Sequence, residues 1–379
     1  MKIGLVHDYQ PNLGGTTEVV IRMSRELSRR GHEVKLITHP TSWIRKFDEK
    51  YLDIVPAERV RITFMEYIPY TFTRTAKIIS LFKSGRIQLA HAHYALPFGV
   101  SAYLAKQAYG IPYIVTLHGT DVLKLAKIPS LKPVMKLCLE NADAVTTVSE
   151  YLKKQVMRRL DISREIKVIP NFVNPERFRV KRGCGFLRRV FDIPRDNFVI
   201  THISNFAKIK NTLIIPDIAR LVLKEHPNVT FLMVGEALCE RGYDLEELKE
   251  KVKKEGLEKH FRFTGRRKDI ARILNISDVF LMTSQNEAFG LSILEALAVS
   301  VPVVVPKVGG IPEFVRNNRN GFLVKKQNIE AYAERINRLL DDSNLRRRLG
   351  ANAKKTVEER YTSDIVIPQY EGVYRSIIE

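Results

Sequence analysis

The stretch DVFLMTSQNEAFGLSILEALAVSVPVVV, residues 278–305, places three secondary-structure patterns directly after one another. DVFLMTS (278–284) is a short apolar run that predicts a strand, LSILEALAV (291–299) predicts a helix, and VPVVV (301–305) predicts a second strand. A strand, a helix and a strand in this order form a βαβ unit, which belongs to a parallel sheet. The stretch therefore predicts an α/β fold.

The same alternation of strand and helix continues on both sides of this stretch. An amphipathic helix is predicted over GGTTEVVIRMSRELSRRG (14–31), which ends at Gly31. The other runs that predict strands are KIGLVH (2–7), EVKLIT (33–38), RITF (61–64), PYIVTL (112–117), AVTTV (144–148), IKVIP (166–170), FVITHIS (198–204), VTFLMVG (229–235), FRFTG (261–265) and GFLV (321–324).

Residues 174–196 interrupt the alternation, because they are basic, rich in turn residues and without a period. We interpret them as a connector with a short helix. Two consecutive α/β sets on either side predict two Rossmann-like domains that face a central cleft. We place the first domain at 1–180 and the second at 181–360. A last helix at 361–379 is expected to pack back on the first domain.

Composition limits the class of protein and the kind of partner. Lys and Arg number 62 against 42 for Asp and Glu, and this net charge of +20 favours an anionic partner such as a nucleotide, a nucleic acid or membrane headgroups. The three cysteines are far apart and indicate neither a disulfide framework nor a zinc site. We find no signal peptide and no apolar run of the ~18 residues that a membrane span needs, so a cytoplasmic location is expected.

Two glutamates in the opening stretch, Glu287 and Glu295, lie in the region where an α/β sheet binds ligands. Ligands of open α/β sheets lie beyond the carboxyl ends of the strands, and QNEAFG follows the predicted strand 278–284. The backbone N–H groups of 289–292 begin a helix and favour an anion such as a diphosphate, while Gly290 permits close backbone approach. One carboxylate would then bind sugar hydroxyls and the other ribose hydroxyls.

The alternative for these glutamates is a solvated Glu287 and an exposed Glu295 on the helix surface. Glu295, however, is surrounded in sequence by Ile, Leu and Ala side chains, where an unpaired carboxylate is costly. We therefore favour the ligand-binding interpretation.

The pattern Glu-x7-Glu with Phe-Gly after the first Glu, followed by Pro-Val-Val and VGGIPEFV (308–315), resembles the donor site of the family-4 retaining glycosyltransferases with the GT-B fold. The resemblance covers nearly the whole chain. It implies a nucleotide-sugar donor on the C-terminal domain and an acceptor on the N-terminal domain, with transfer in the cleft. The donor-binding residues that it implies are Gly15, Lys208, Lys210, Arg266, Glu287, Phe289, Gly290, Leu291 and Glu295.

Two further turns are candidates to meet the diphosphate. NLGGTTE (12–18) is a Gly-Gly turn at the start of the first helix, whose N–H groups could contact phosphate or acceptor. In HISNFAKIKN (202–211), the family has an Arg where this chain has Ala207, whereas Lys210 matches the family's Lys and Lys208 could replace the missing charge. Cations here would stabilise the departing UDP. The chain has no Asp-x-Asp, so neither a metal nor another cofactor is expected.

No carboxylate stands out as a covalent nucleophile. The resemblance implies front-face attack, in which the departing phosphate takes the proton of the acceptor. It places His118, in TLHGTD (116–121), near the sugar's 6-hydroxyl and the reacting carbon. The implied catalytic residues are His118, Lys210 and Glu287, whereas His91 and His93 are expected to be structural.

The N-terminal half resembles one group within that family, the N-acetyl-α-D-glucosaminyl L-malate synthases. HAHYALPFGVSAYLAKQ (91–107) and NADAVTTVSEYLK (141–153) are among the similar segments. That group uses UDP-N-acetylglucosamine and L-malate. The implied acceptor residues are Thr16, Tyr94, Thr116, Lys136 and Asn171.

This chain departs from that group at two acceptor positions. Lys136 stands where the family has an Arg that meets the acceptor carboxylate, so a bidentate contact is lost. Phe98 stands where the family has a second His. A small hydroxy-acid acceptor is expected, with its identity open.

Four alternatives remain for the function. Residues 67–86 interleave aromatics with Arg74, Lys77, Lys83 and Arg86, which is typical of an interfacial helix. Such a helix would fit a lipid-linked or polysaccharide acceptor and peripheral contact with the inner membrane surface.

A UDP-sugar 2-epimerase shares the fold but needs no acceptor. A nucleic-acid-binding protein is suggested by charge alone, without any recognition motif, and is not expected. A dehydrogenase lacks the glycine fingerprint. A homodimer stays open.

Overall fold

The computed structural model describes residues 1–8, 14–39, 53–57, 70–180, 183–237 and 244–379. Its contacts divide the chain into two compact units. Unit 1 consists of Met1–Asn171 together with Ser363–Glu379, and unit 2 consists of Phe172–Thr362. Unit 1 thus ends before the predicted boundary at 180 and takes in the last helix of the chain.

Unit 1 is built on a parallel sheet of seven described strands. Its strands are β1 (Lys2–Val6), β2 (Glu33–Thr38), β3 (Asp53–Pro56), β4 (Leu89–His93), β5 (Tyr113–Leu117), β6 (Ala144–Thr147) and β7 (Ile166–Val168). Its helices are α1 (Gly14–Arg29), α2 (Tyr70–Lys83), α3 (Val100–Tyr109), α4 (Thr120–Leu123), α5 (Lys132–Glu140), α6 (Glu150–Leu160) and, from the end of the chain, α14 (Ser363–Ile378).

Unit 2 repeats the architecture with a parallel sheet of six described strands. These are β8 (Phe198–Ile203), β9 (Val229–Val234), β10 (Phe261–Phe263), β11 (Val279–Leu281), β12 (Val303–Pro306) and β13 (Gly321–Val324). Its helices are α7 (Phe186–Val190), α8 (Ile215–Glu225), α9 (Leu245–Lys254), α10 (Ile270–Leu274), α11 (Leu291–Ala298), α12 (Ile329–Asp341) and α13 (Ser343–Arg360).

Six strands follow the same order in both sheets, with a seventh added at one edge in unit 1, and the direction of winding reverses once. The order is β3-β2-β1-β4-β5-β6-β7 in unit 1 and β10-β9-β8-β11-β12-β13 in unit 2. The reversal therefore lies between β1 and β4 in unit 1 and between β8 and β11 in unit 2. Loops diverge at the carboxyl ends of such strand pairs, and the crevice between them is where open α/β sheets bind ligands.

The strands are buried on both faces, which explains their uninterrupted apolar sequences. Every residue of β4, β5, β9, β11 and β12 is buried. In unit 1 the core also includes α14, whose Tyr374 is fully buried and donates to or accepts from His91 Nδ1 at 2.8 Å. The last helix is thus part of the core of unit 1.

The two Rossmann-like domains and the parallel sheets that the alternation predicted are confirmed, and most predicted strands begin or end within two residues of the observed ones. The predicted strand 61–64 lies outside the described residues. Two strands, β3 and β4, escaped prediction. The helix of the opening stretch begins only at Leu291, so Glu287 lies in the loop that precedes it.

The helix α2 covers most of residues 67–86, for which an interfacial helix was considered, and 67–69 lie outside the described residues. Arg74 lies within the protein at 1% exposure, together with Ile78 and Leu81, whereas Phe72, Lys83 and Arg86 remain exposed. One face of α2 therefore belongs to the core. None of the helices in the described ranges is both long and apolar enough to span a membrane.

Candidate functional site

Glu287 is fixed by an ion pair and a hydroxyl at the reversal point of unit 2. Lys210 Nζ lies 2.6 Å from Glu287 Oε1, and Ser284 Oγ donates to the same oxygen at 2.7 Å. The side chains of Lys210 and Glu287 are only 21% and 11% exposed. A charge-assisted hydrogen bond at this burial is held more firmly than a surface ion pair.

The two loops that carry this pair are also joined through their backbones. Lys210 follows β8 and Glu287 follows β11, the strands between which the winding reverses. The N–H of Gln285 donates to the carbonyl of Ile209 at 2.8 Å, and the hydroxyl of Thr283 donates to the carbonyl of Lys210 at 2.9 Å. The ammonium and the carboxylate are therefore positioned by rigid elements on both sides.

The Gly-Gly of VGGIPEFV packs directly against the backbone of Glu287. Gly310 donates its N–H to the carbonyl of Glu287 at 3.0 Å. Gly309 has φ +56, and a Cβ there would lie 1.8 Å from the same carbonyl oxygen. Only glycine fits at this contact. The spacing of the sequence motif thus reflects how the backbone of Glu287 is held.

The start of α11 lies directly after this loop. Gly290 has φ 103, and a Cβ there would approach Ile293 Cδ1 to 2.9 Å, so the left-handed turn requires glycine. Phe289 is buried and stacks on Phe314 with ring centroids 4.9 Å apart, which explains the Phe-Gly pair. Leu291 opens the eight-residue helix, whose N–H groups form a positive end. Glu295 is buried in its middle at 6% exposure.

The remaining predicted donor residues are Lys208, Arg266 and Gly15. Lys208 is exposed in the same turn as Lys210, and its neighbour Ala207 donates its N–H to Asn205 Oδ1 at 3.3 Å. Arg266 is exposed after β10, also at the carboxyl edge of the sheet of unit 2. Gly15 belongs to unit 1, where it lies exposed in the first turn of α1.

A chain of buried histidines occupies the corresponding edge of unit 1. His93, at the end of β4, lies with its Nδ1 2.9 Å from Nε2 of His118, which follows β5. His91 Nε2 lies 2.6 Å from the hydroxyl of Thr116, which in turn lies 2.6 Å from the hydroxyl of Thr146. Thr116 is thus buried beneath the histidines and positions His91. Its predicted role in contacting the acceptor stays a prediction.

Burial keeps these histidines neutral. Desolvation lowers the pKa of His91 to about 3 and that of His7 to about 4, and it holds the pKa of His93 and of His118 well below 6.5. A neutral His118 can accept or donate one hydrogen bond at neutral pH, and it adds no positive charge at this edge.

We expect acid to destabilise the protein through these groups. Their folded pKa lies below the unfolded value of about 6.5, so stability is fully present above pH ~6.5 and is lost as pH falls towards the folded pKa. In that window, each histidine lowers the free energy of unfolding by up to about 1.4 kcal/mol for each pH unit of acidification. Burial raises the pKa of Asp121 to about 6, so this one group makes the folded state more stable as the pH falls.

Melting temperatures at pH 7.5, 6.5 and 5.5 measure the effect, and His91→Gln should flatten the dependence of melting temperature on pH. A slope that His91→Gln leaves unchanged would contradict the role of this residue.

The structure brings together two of the predicted acceptor residues and separates a third. The hydroxyls of Thr16 and Tyr94 share a short hydrogen bond across the reversal point of unit 1. Asn171 is buried at the end of unit 1. Lys136 is 43% exposed and its Nζ pairs with Asp161 Oδ2 at 3.1 Å on the side of α5 and α6. The role of Lys136 in contacting the acceptor stays a prediction.

The prediction missed an ion pair at the same edge of unit 1. Arg74 Nη2 donates to Asp8 Oδ1 at 2.7 Å, and Nδ1 of His39 lies 2.9 Å from that same oxygen. Asp8 comes just after β1, so a polar pair following a strand, His7-Asp8, was the available signal. Nothing in the helical pattern of 70–83 indicates that its arginine turns inward.

In the described part of the chain, one group of side chains has the spacing of a metal site. It consists of Glu225, His226 and Asp341, whose ligand atoms lie within 4.8 Å of one another. Glu225 ends α8 and His226 precedes β9, so the group lies at the amino edge of the sheet. It is therefore separate from Lys210 and Glu287, and both of its carboxylate residues are exposed.

Family models match both halves of the chain. The model described as Glycosyltransferase Family 4 matches residues 13–177, and the one described as Glycosyl transferases group 1 matches residues 185–356. An N-acetyl-α-D-glucosaminyl L-malate synthase of Bacillus anthracis is 30% identical, over 100% of this chain and 97% of that protein. A galactosyltransferase of Escherichia coli that acts on GlcNAc-diphosphoundecaprenol is 28% identical, over 70% and 69% of the two chains.

Solved structures resemble the whole chain. A glycosyltransferase of Rickettsia africae superposes with a TM-score of 0.84 at 21% identity and covers 100% of this chain and 98% of its own. HepE of Anabaena, in complex with UDP and glucose, superposes with a TM-score of 0.83 at 22% identity and covers 99% of this chain and 100% of its own. These likenesses establish the GT-B fold.

Proposed function

The chain belongs to the family-4 glycosyltransferases, retaining enzymes that transfer a sugar from a nucleotide-sugar, and from this premise we propose its donor and acceptor. The donor is UDP-N-acetylglucosamine and the acceptor is a small hydroxy acid such as L-malate. The observation that carries the donor site is the half-buried Lys210–Glu287 pair at the reversal point of unit 2, and the choice of sugar and acceptor is supported by the Bacillus anthracis relative.

Unit 2 is proposed to bind the donor through this pair and through α11. The positive end of α11 and the ammonium of Lys210 suit the diphosphate. Glu287, held by Ser284 at 2.7 Å, suits the hydroxyls of the sugar, and the buried Glu295 suits those of the ribose. HepE of Anabaena, which shares the fold, is the structural precedent for a complex with UDP and glucose.

In the proposed reaction, the acceptor hydroxyl oxygen bonds to the anomeric carbon on the face that the donor phosphate leaves. The bond between that carbon and the phosphate oxygen breaks, and UDP carries away both electrons of the bond and the acceptor proton. Negative charge grows on the departing diphosphate, so Lys210 would bind the transition state more tightly than the ground state. His118, which burial keeps neutral, would hydrogen-bond to the sugar.

Unit 1 is proposed to bind the acceptor between Thr16 and Tyr94, whose hydroxyls lie together at its reversal point. Support for a hydroxy acid comes from the Bacillus anthracis relative, whose name states L-malate as its acceptor. At 30% identity, this relative suggests the acceptor class.

The second candidate is an acceptor at the membrane surface, such as a lipid-linked glycan or a polysaccharide. The observation that favours it is a set of exposed apolar side chains, Ile128, Val134 and Leu137, in a segment that also carries the exposed Lys127 and Lys132. The Escherichia coli relative acts on a lipid diphosphate. A 2-epimerase is a further candidate, distinguished by turnover of the donor without acceptor.

The test incubates the purified protein with UDP-N-acetylglucosamine, with and without L-malate, and follows UDP release and the mass of the product. Malate-dependent UDP with a glucosaminyl-malate mass would support donor and acceptor together. UDP release only with a lipid or glycan extract would shift the acceptor to the membrane. Conversion of the donor alone would favour the epimerase. No reaction with this donor would contradict the proposed sugar.

A further inference from the structure

The buried guanidinium of Arg74 is only partly neutralised. One of its nitrogens, Nη2, donates to Asp8 Oδ1 at 2.7 Å. Its Nε and Nη1 are buried and have no hydrogen-bond partner among the residues that the structure describes. A buried charge with unpaired donors is costly unless another group completes its shell.

Among the described residues, the carboxylate paired with Arg74, that of Asp8, is shared with a second group. Nδ1 of His39 lies 2.9 Å from the same Oδ1 of Asp8 that accepts from Arg74. Burial lowers the pKa of Arg74 even though Asp8 acts to raise it, which agrees with incomplete compensation of its charge. The positive charge of the cluster is therefore not fully compensated, which favours a second anion.

The cluster lies at the ligand-binding edge of unit 1. Asp8 follows β1, His39 follows β2 and Tyr94 follows β4, so the carboxyl ends of three neighbouring strands meet there. The Asp8 side chain keeps 25% exposure, which places the ion pair at the surface of this edge. Ligands of open α/β sheets bind in this region, next to the reversal point.

Arg74 is connected to the proposed acceptor residues through aromatic rings. Its guanidinium carbon lies 4.8 Å from the centroid of the Phe98 ring, and that centroid lies 6.3 Å from the ring of Tyr94. Tyr94 in turn shares its hydroxyl hydrogen bond with Thr16. Arg74, Phe98 and Tyr94 therefore form a continuous contact path to the proposed acceptor residues.

We propose that Arg74 binds an oxyanion of the acceptor, a carboxylate or a phosphate, through its Nε and Nη1 donors. Arg74 suits this role because its Nε and Nη1 are buried without a hydrogen-bond partner within the described ranges, whereas Lys136 is 43% exposed and lies 3.1 Å from Asp161. The inference rests on the proposed function in that unit 1 binds the acceptor. It narrows the acceptor to an anion, and it makes Arg74 a determinant of acceptor specificity.

The test measures anion binding directly, by calorimetry on the full chain saturated with UDP. L-malate and inorganic phosphate are the two probes, because they separate a carboxylate acceptor from a phosphate acceptor. We expect Arg74→Met to weaken the binding of the preferred probe more than tenfold. Arg86→Met, an exposed arginine just beyond α2, is the matched control and should bind like the wild type.

Arg74→Lys provides a second test in case Arg74→Met does not fold. It keeps the charge but has one nitrogen in place of three, so it should fold and still bind the probe several-fold more weakly. Equal affinity in wild type, Arg74→Met and Arg74→Lys would overturn the inference. So would loss of binding in Lys136→Met with retention in Arg74→Met, or a wild type that binds UDP but neither probe.

The inference and the proposed function fail in different ways. Arg74-dependent binding of either probe without any transfer from UDP-N-acetylglucosamine would support the oxyanion site and contradict the donor. Transfer to malate at an unchanged malate KM in Arg74→Lys would support the reaction and overturn the site.

Discussion

Replacing Lys210 by methionine is expected to lower kcat for sugar transfer at least ~100-fold, with a much smaller change in KM for the donor. Removal of one preorganised donor to a developing negative charge typically costs two to three orders of magnitude, about 2.7–4 kcal/mol. Lys210 is the cation that the structure fixes beside Glu287, with its Nζ 2.6 Å from Oε1. Lys208 is a second cation of this turn, but it is exposed, whereas Lys210 is the one held against Glu287, so most of the loss should fall on Lys210. Initial rates of UDP release at saturating acceptor measure the effect.

The control for this variant is Lys249→Met. Lys249 is an exposed lysine of α9 that pairs with Glu246, and its removal should leave kcat within a factor of two of the wild type on the general expectation for surface sites. Melting curves of both variants report folding. A Lys210→Met enzyme that is folded and retains more than a third of the wild-type kcat would show that the leaving diphosphate does not depend on this ammonium.

The architecture was predictable because strands that are buried on both faces have uninterrupted apolar sequences. Runs such as 229–235 and 301–305 are apolar and β-branched, and their parallel pairing follows from the helices between them. The strand β4 escaped because its sequence, LAHAH, carries two histidines that an apolar pattern does not include. Those histidines are tolerated in the interior since Thr116, Tyr374 and His118 provide their hydrogen-bond partners.

The donor side of the site was predictable from local spacing. Glu287, Gly290 and Glu295 lie in one loop and the helix that follows it, so their neighbourhood in sequence is also their neighbourhood in space. Lys210 came from the resemblance, and the structure places it next to Glu287 across 77 residues of sequence. Their direct ion pair could not be read from either segment alone, because it depends on β8 and β11 being neighbours in the sheet.

The acceptor side was less predictable because its polar contacts join distant elements. Asp8 and Arg74 are 66 residues apart, and whether the arginine of an amphipathic helix turns inward depends on what the sheet offers it. Tyr94 and Thr16 are 78 residues apart. The resemblance indicated Lys136, which in this chain lies 3.1 Å from Asp161. A resemblance therefore identifies positions, whereas the contacts that each residue makes depend on the rest of this chain.

Replacing Glu287 by glutamine is expected to lower kcat ~100- to 1,000-fold while the fold survives, on the scale of a lost general-acid/base or charge contact. Glutamine is isosteric, and its Oε1 can still accept the hydrogen bond that Ser284 now donates at 2.7 Å. The substitution removes the negative charge of the Glu287 side chain and keeps its shape. Sugar hydroxyls would lose a carboxylate acceptor, whereas Lys210 would lose the anion that neutralises it in the free enzyme. UDP should therefore bind Glu287→Gln at least as tightly as wild type, while turnover collapses.

The double variant Lys210→Met/Glu287→Gln tests whether the two residues are energetically coupled in the transition state. Two residues that act on one transition state through one ion pair should show effects that are far from additive, so the double variant should be less impaired than the product of the two single losses. Calorimetric UDP affinities and initial rates for the four proteins of the cycle measure the coupling. Turnover within threefold of the wild type in Glu287→Gln would remove this carboxylate from the site. Strict additivity would mean that the 2.6 Å contact of the free enzyme is not used in catalysis.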